Sequence, residues 1–461
     1  MQTNAELTQE YLDIIARSNG DIEGRRAAQD YMRNSTAIVH HQVVATSYVP
    51  RLFNTKTREA MKECAETAHR ILVKVMMEYL DNPEYRKVFS FDPRLEELIL
   101  IPRGYPAVLP FARVDTFMDE DNYTFKFCEF NGDGSSGMNE NREISLMIAR
   151  SPAFRAFVKD DNDGIKHRIE VCELFNSWID EFLEIYSTFP KARKNPRFAI
   201  VDYLENGVVD EFKLFAGLFE AQGYPCVVAD VRDLHFDGKQ LTYKDGNRID
   251  AIWRRCVTND VITYWDESQD LIEAAKAQAV ALIGSFAGHI VHDKQIFGAL
   301  YDPRTKAILT DDENAFVEAT VPYTNFLDST KVDLARIKAE KDGWIIKPTD
   351  GYGAQDVYAG CAVSQDEWES LVDGFADSKA GFPFIVQAYI TPFKTWTLEP
   401  DKGIEDLSDE EVACEPKLYN NLNGLYLYNG TFQGVFSRLG PLPTISKDKK
   451  GITQATIWVT D

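Results

Sequence analysis

The spacing of hydrophobic and polar residues changes along the chain and predicts four successive segments. Residues 1–100 show helical spacing, with one apolar stripe at Met61, Cys64, Ala68, Ile71, Val75 and Tyr79. Residues 101–195 combine a hairpin pattern with helices, and residues 196–290 alternate strand, helix and strand. Residues 291–461 are rich in strands around a glycine-containing loop. Together these patterns predict an α/β protein with an N-terminal helical region.

The third segment contains a strand–helix–strand pattern. RFAIVDY (197–203) and PCVVADV (225–231) have the composition of buried strands, and an amphipathic stretch, 208–223, lies between them. A unit of this kind usually forms parallel pairing with a crossover helix. We therefore expect a central βαβ domain.

The hairpin pattern of the second segment ends in polar residues. VLPFARVDTF (108–117) is followed by a polar turn and by a strand in which Tyr123, Phe125 and Phe127 alternate with polar residues. Because alternate side chains of a strand share a face, we expect Glu129 and Asn131 to continue the aromatic face. The alternative is a strand that reaches solvent before a turn, since Asn-Gly and Asp-Gly pairs follow directly.

The partner strand of this hairpin carries two further charges, Arg113 and Asp115. If the polar turn sets the register, Arg113 lies within one residue pair of Glu129 across the ladder. Charged side chains that close together on a buried face need each other, a metal or a ligand. Simple ion pairing and a ligand site both remain open.

Basic residues also mark the second half of the chain. Lys347 ends the strand WIIK and enters the glycine-containing loop TDGYGAQD, where backbone N–H groups can approach a phosphate. Lys294 begins an amphipathic stretch, and Arg255 and Arg438 each end a predicted strand. The alternatives are an ordinary hairpin loop and solvent-exposed basic side chains.

Composition restricts the class of protein. The 461 residues carry a net charge of −23, which argues against nucleic acid or an anionic membrane as the main partner. Seven dispersed cysteines without a CxxC pair are typical of reduced thiols, so we expect a cytoplasmic protein. The longest uncharged apolar stretch is too short to span a bilayer. His289 and His292 lack a nearby third ligand, so no zinc site is predicted.

The order of these motifs resembles that of the ATP-grasp ligases. Glu129-Phe130-Asn131 resembles the family's Glu-x-Asn metal strand, and Lys347 with its loop resembles the phosphate-binding element. The Glu-x-Asn strand comes first in the chain, as in the circularly permuted branch, which contains eukaryotic-type glutathione synthetase and the synthetase domain of glutathionylspermidine synthase. The similarity extends from about residue 100 to residue 440.

The resemblance implies a circularly permuted ATP-grasp fold, glutathione synthetase-like, in which the βαβ domain binds substrate. It also implies roles for individual residues. The implied metal ligands are Glu129, Asn131 and Asp350; the ATP-binding residues are Lys294, Lys347, Gly351, Tyr352, Gly353 and Gln387; the substrate-binding residues are Asp115, Ser135, Ser136 and Arg255; and the catalytic residues are Arg113 and Arg438.

The implied activity is ATP-dependent joining of a carboxylate to an amine through an acyl-phosphate, with ATP and Mg²⁺ as cofactors. Two residues depart from the family pattern: Gly351 stands where a metal-binding glutamate is common, and Gly440 stands where relatives have a lysine. The alternatives are a small-molecule kinase on the same scaffold and a nucleotide-binding protein without catalytic activity. The substrates are not specified by the sequence, and a homodimer remains an open expectation.

Overall fold

The computed structural model describes residues 2–39, 42–159, 164–351, 355–376, 383–398, 415–446 and 449–460. Predicted ATP-binding residues Tyr352 and Gly353 lie outside the described residues. The helices are α1 (Asn4–Arg17), α2 (Ile22–Arg33), α3 (Thr55–Asp81), α4 (Pro83–Arg86), α5 (Pro93–Ile99), α6 (Met138–Arg150), α7 (Pro152–Val158), α8 (Asn176–Ser187), α9 (Val209–Ala221), α10 (Thr258–Thr263), α11 (Gln269–Lys276), α12 (His289–His292), α13 (Gln295–Ala299), α14 (Pro303–Ile308), α15 (Asp311–Thr320), α16 (Leu334–Ala339) and α17 (Gln365–Phe375).

The strands are β1 (Ile38–Val39), β2 (Gln42–Val43), β3 (Arg51–Asn54), β4 (Phe111–Asp119), β5 (Thr124–Asn131), β6 (Arg168–Val171), β7 (Phe198–Asp202), β8 (Cys226–Asp230), β9 (Leu234–Phe236), β10 (Leu241–Tyr243), β11 (Ala251–Arg254), β12 (Ala281–Ile283), β13 (Thr324–Phe326), β14 (Trp344–Pro348), β15 (Tyr358–Ala359), β16 (Phe384–Ala388), β17 (Lys394–Thr397), β18 (Lys417–Tyr428), β19 (Thr431–Gly440), β20 (Ile452–Gln454) and β21 (Thr456–Thr460).

The largest sheet joins the predicted hairpin to the C-terminal strands. Its order is β20-β19-β18-β4-β5, with β17 also paired to β18, and every pairing is antiparallel. β18 and β19 are linked by Asn429 and Gly430, both at positive φ, which suits a two-residue turn between twisted strands. Segments more than 280 residues apart in the sequence therefore form one sheet.

A bulge in β5 corrects one sequence prediction. Asp115 pairs with Glu129 and the next residue, Thr116, pairs with Phe127, so Cys128 is an extra residue in the ladder. An extra residue exchanges the two faces of a strand beyond it. The prediction that Glu129 continues the aromatic face is therefore wrong.

The bulge separates the core side chains of β5 from its polar ones. Phe125, Phe127 and Phe130 are buried in a core that also contains α3. Glu129 and Asn131 pair with Asp115 and Arg113, and directly paired residues share a face. Arg113 and Glu129 thus share the face opposite to the aromatic residues, but they lie two residue pairs apart and not within one pair as predicted.

The central segment forms a parallel four-stranded sheet with the order β12-β11-β7-β8. β7, α9 and β8 form the predicted βαβ unit, whose two strands pair in parallel. Helices α8 and α9 contribute Trp178, Phe182, Phe215 and Phe219 to an aromatic core against this sheet. The carboxyl end of β11 brings the two consecutive arginines Arg254 and Arg255 to the edge of the domain.

Two smaller sheets carry further predicted site residues and connect the two ends of the chain. The antiparallel sheet β13-β16-β14-β15 carries Lys347 on β14 and Gln387 on β16. The sheet β3-β21-β6 ties the N-terminal region to the last strand, through parallel pairing of β3 with β21. No helix within the described parts of the chain is long and apolar enough to cross a membrane.

Candidate functional site

A cavity of about 360 Å³ is lined by strands of the largest sheet and of the small sheet that carries Lys347. Residues from at least five separate parts of the sequence contribute to it, between residues 39 and 453. The predicted site residues that line it are Arg113, Glu129, Ser136, Lys294, Lys347, Gly351, Gln387 and Arg438.

Two buried lysines form the cationic part of the cavity. Lys347 Nζ donates to Gln387 Oε1 at 2.7 Å, and Gln387 in turn donates to Thr324 Oγ1 at 2.8 Å. Burial lowers the pKa of Lys347. Lys294 Nζ donates to the carbonyl oxygen of Gly351 at 3.0 Å, which links it to the glycine-containing loop. Both ammonium groups are therefore held in place beside the loop.

Glu129 is the anionic partner of these lysines. Its Oε1 lies 3.3 Å from Lys294 Nζ. Burial alone would raise the pKa of Glu129, but the nearby charges, Lys294 foremost, outweigh it and hold the pKa at about 2. Glu129 is therefore a carboxylate at neutral pH. Asn131 lies two pairs further along the ladder, opposite Arg113, and donates from Nδ2 to the carbonyl oxygen of Arg113 at 3.3 Å.

Asp115 holds together two arginines that line the cavity. Arg113 donates to it from Nε at 2.7 Å and from Nη2 at 3.1 Å, and Arg438 donates from Nη2 at 2.6 Å. Burial opposes the charge of Arg113, but Asp115 outweighs it and raises the pKa of Arg113 above its usual value. Through these contacts Asp115 orients both guanidinium groups. Its predicted contact with substrate stays a prediction.

The loop between β5 and α6, residues 132–137, contains Ser135 and Ser136 and is called the serine loop. Its carbonyl groups hold it in place. Arg113 Nη1 and Tyr426 OH donate to the carbonyl oxygen of Ser136 at 2.7 and 2.8 Å, and Arg255 donates to that of Ser135. Gly134 has a φ of 67°, and a Cβ there would lie 2.8 Å from the carbonyl oxygen of Arg255. The loop therefore needs glycine at this position to approach β11.

Arg254 and Arg255 are adjacent in sequence but have different environments. Arg254 Nη2 lies 2.7 Å from Asp133 Oδ1, and both side chains are fully buried. Asp133 also accepts from the backbone N–H and the hydroxyl of Thr258 at 2.8 and 2.6 Å. Sequence reasoning missed this pair, because Asp133-Gly134 has the composition of a turn. Arg255 remains the arginine beside the serine loop.

Asp350 belongs to a second buried cluster, centred on His289. Its Oδ1 accepts from the backbone N–H of Gly351 at 2.7 Å, while its Oδ2 lies 3.9 Å from His289 Nε2. Burial disfavours a charged imidazole, but Asp133, Asp350 and Asp293 outweigh it and raise the pKa of His289. Asp350 Oδ2 is buried and has no hydrogen-bond partner within the described residues.

The fit of these residues to magnesium rests on Glu129 and Asn131. The described residues contain no group of three or more His, Cys, Asp or Glu side chains that could hold a metal ion by themselves. Mg²⁺ in nucleotide sites, however, usually binds one or two protein carboxylates together with phosphate oxygens and water. An ionised Glu129 with an amide oxygen two residues later fits a magnesium ion that is shared with a bound phosphate.

Asp350 provides a direct test of the third metal ligand. We expect Asp350→Asn and Asp350→Ala to raise the magnesium concentration needed for ADP production by about tenfold or more, as losses in or near a metal site usually do. The unpaired buried Oδ2 is the reason for this expectation. Magnesium titrations of the wild type and both variants check it. Three coincident curves would show that Asp350 is structural and that Glu129 and Asn131 act without it.

The assembled architecture is a mixed α/β fold similar to that of a glutathione synthetase-like protein, which confirms the predicted fold class. A glutathione synthetase-like effector from Globodera pallida, solved in its apo form, has 10% sequence identity and a TM-score of 0.60, with 94% of this chain and 96% of that chain covered. No family model and no curated protein sequence matches the chain. The circular permutation stays a prediction.

Two further solved structures are more distant. A putative gamma-glutamylcysteine synthetase from Methylobacillus flagellatus has 13% identity and a TM-score of 0.41, with 83% of this chain and 87% of that chain covered. The ATP-grasp ligase PsnB, solved with a precursor variant, Mg and ADP, has 14% identity and a TM-score of 0.25, with 52% of this chain and 87% of that chain covered. Both TM-scores lie below 0.5, which is too low to establish a shared fold.

Proposed function

We propose that this protein is an ATP-dependent carboxylate–amine ligase of the circularly permuted, glutathionylspermidine synthase-like type. It activates a carboxylate as an acyl-phosphate, joins it to an amine, and releases ADP and phosphate. A carboxylate is a poor electrophile, and phosphorylation supplies the leaving group that attack by an amine requires. The small-molecule carboxylate and amine are its partners.

The observation that carries this proposal is one cavity lined by four basic side chains. Buried Lys294 and Lys347 lie beside the glycine-containing loop, and Arg113 and Arg438 are both bound to Asp115. Two cationic groups at a glycine-containing loop suit nucleotide phosphates, and two guanidinium groups fixed by Asp115 suit a carboxylate. Because all four side chains line the same cavity, a phosphoryl group and a carboxylate would be bound in one shared space.

The chain's own residues would act mainly by positioning and by charge. Lys294 and Lys347 bind the phosphates, and Gln387 holds the ammonium group of Lys347 in place. Arg113 and Arg438 orient the carboxylate, and Arg438 also stabilises charge on the transferred phosphoryl group. Preorganised cations of this kind stabilise the transition state without needing to rearrange during the reaction.

Magnesium would be held by Glu129 and Asn131, with Asp350 as the proposed third ligand. When bound, the ion neutralises negative charge on the β- and γ-phosphates. Glu129 is a carboxylate at neutral pH, because Lys294 and the neighbouring cations outweigh the effect of burial on its pKa. Lys294, at 3.3 Å from Glu129, is near enough to contact the same phosphates.

Hydroxylamine provides the direct test, because it captures an acyl-phosphate as a stable hydroxamate. The protein is incubated with ATP, Mg²⁺, hydroxylamine and pools of free amino acids and γ-glutamyl peptides, and ADP and hydroxamate are measured. A ligase forms both products in equal amounts when the right carboxylate is present. A kinase forms ADP and a stable phosphorylated product without hydroxamate, and a nucleotide-binding protein without catalytic activity forms neither.

ATP with Mg²⁺ is expected to stabilise the folded protein, because the cavity holds two buried lysines that a phosphate chain can bind. The gain is about 2.7 kcal/mol when the ligand is at 100 times its dissociation constant. Melting temperature, measured with and without several millimolar ATP and Mg²⁺, checks this. An unchanged melting temperature would contradict the nucleotide site, and a loss of the shift in Lys347→Met would place it at β14.

A further inference from the structure

Glu140 is a cavity residue to which the reaction described above assigns no role. It lies in the first turn of α6 and lines the same cavity as Arg113 and Arg438. Its Oε2 accepts a long hydrogen bond from Thr453 Oγ1, at 3.4 Å. Thr453 pairs with Arg438 across the ladder between β19 and β20. This carboxyl group therefore lies one strand away from an arginine proposed to orient the carboxylate substrate.

The groups that face Glu140 leave it without a cationic partner of its own. Arg113 and Arg438 are nearby, but both are bound to Asp115. Within the described residues, Glu140 forms no ion pair. Glu211 of α9 faces it from the other side and accepts from the backbone N–H of Asn139 at 2.8 Å. That contact places a second carboxylate at the start of α6.

These surroundings favour the protonated form of Glu140. Burial has the largest effect, repulsion from Glu211 comes next, and together they raise the pKa of Glu140 to about 7 despite Arg438 and Arg113. An acid group with a pKa near the working pH is suited to proton transfer. A cavity carboxyl that lacks a cation in the protein is also suited to a cation supplied by a substrate.

We propose that Glu140 binds the ammonium group of the amine substrate and accepts a proton from it, so that the free amine can attack the acyl-phosphate. This inference rests on the proposed ligase function and adds the identity of the base. It also specifies the amine substrate as one that arrives in its cationic form.

One N–H bond of the ammonium group breaks, and its proton passes to the Glu140 carboxylate. The freed lone pair forms a C–N bond with the acyl carbon, and the C–O bond to phosphate breaks, with the electron pair leaving on the phosphate. The second N–H proton is lost to solvent or to the departing phosphate, and Glu140 releases its proton to solvent before the next turnover.

The experiment compares two classes of nucleophile, uncharged and cationic, in the wild type, Glu140→Gln and Glu140→Asp. Hydroxylamine is largely uncharged at neutral pH and needs no base, whereas ammonium, glycine and 1,4-diaminobutane are cationic. We expect Glu140→Gln to lower amide formation with the cationic amines by at least about a hundredfold. Hydroxamate formation should change much less, and Glu140→Asp should recover part of the amide formation.

The pH profile gives a readout that a structural role would not change. Because Glu140 must be ionised to accept a proton, wild-type amide formation should rise with pH through about 7, the pKa of Glu140. In Glu140→Gln this rise should disappear, and the residual rate should follow the free amine and increase only near the amine's own pKa. Glu211→Gln removes the repelling charge and should move the wild-type rise to lower pH, whereas Glu220→Gln, an exposed residue at the end of the same helix, should not.

The outcomes separate this inference from the proposed function. If the wild type forms no hydroxamate with any of the carboxylates, the proposed ligase function is contradicted. If hydroxamate formation is normal and the wild type and Glu140→Gln form amide equally fast, the role of Glu140 is overturned while the ligase function stands. The role of Glu140 would also be overturned if Glu140→Gln and Glu140→Asp lowered amide and hydroxamate formation to the same extent. A wild type that forms hydroxamate normally but makes no amide with any of the three amines would overturn it as well.

Discussion

Glu129→Gln is expected to reduce ATP-dependent turnover by about 10²- to 10³-fold or more, the loss usual when one preorganised charge is removed from a reaction centre. The amide keeps the shape of the side chain but loses the charge that would hold magnesium and that balances Lys294 at 3.3 Å. The folded structure should be kept, because Glu129 lies on the cavity face of β5, away from the aromatic core.

ADP production at saturating ATP and magnesium measures this effect, and a thermal melt of the variant checks its fold. Glu318→Gln is a suitable control, since Glu318 is an exposed residue whose ion pair with Lys306 lies on the surface. A Glu129→Gln protein with wild-type turnover would show that Glu129 is only the ion-pair partner of Lys294. Unfolding of the variant, together with a wild type that is indifferent to magnesium, would lead to the same conclusion.

Arg254→Met is expected to lower the free energy of unfolding by about 3–5 kcal/mol, as the loss of one partner from a buried ion pair usually does. The substitution leaves Asp133 fully buried opposite an apolar side chain. It also removes donors from the carbonyl oxygens of Gly284 and Ser285, which Arg254 contacts at 2.6 and 3.0 Å.

Urea unfolding followed by tryptophan fluorescence measures this loss. Arg232→Met is the matched control, because Arg232 forms ion pairs on the surface with a side chain that is 40% exposed, and such pairs contribute at most about 1 kcal/mol. The double variant Arg254→Met, Asp133→Leu should recover part of the loss, since it removes the uncompensated carboxylate. Equal effects of Arg254→Met and Arg232→Met would contradict the structural role assigned to Arg254.

Local patterns in the sequence were enough to predict most of the helices and strands near the site. The apolar composition of 198–202 and 226–230, with an amphipathic stretch between them, predicted parallel strands that the structure contains. The turn between β18 and β19 likewise depends on a local pair, Asn429-Gly430, because only a few residues adopt positive φ at low cost. The strand and loop around Lys347 were predicted for the same reason: a few neighbouring residues determine them.

The face on which Glu129 lies was decided by the tertiary structure. Alternation alone placed it with Phe125 and Phe127, and the extra residue at Cys128 reversed that assignment. A bulge arises where a strand must satisfy both its ladder partner and its packing surface, and residues 111–119 of β4 and the helix α3 supply those surfaces. Their positions are not encoded within the strand itself.

Long-range pairing likewise decided which charged residues belong to the site. Three contacts of the site cannot be predicted from the spacing of residues, because each joins residues 40 to more than 300 positions apart. They are the contacts of Arg254 with Asp133, of Lys347 with Gln387 and of Glu140 with Thr453. The sequence alone determined which elements form and which residue types they carry. The tertiary structure alone decided which side chains meet, because burial removes water as a partner and makes each charged group depend on its neighbours in space.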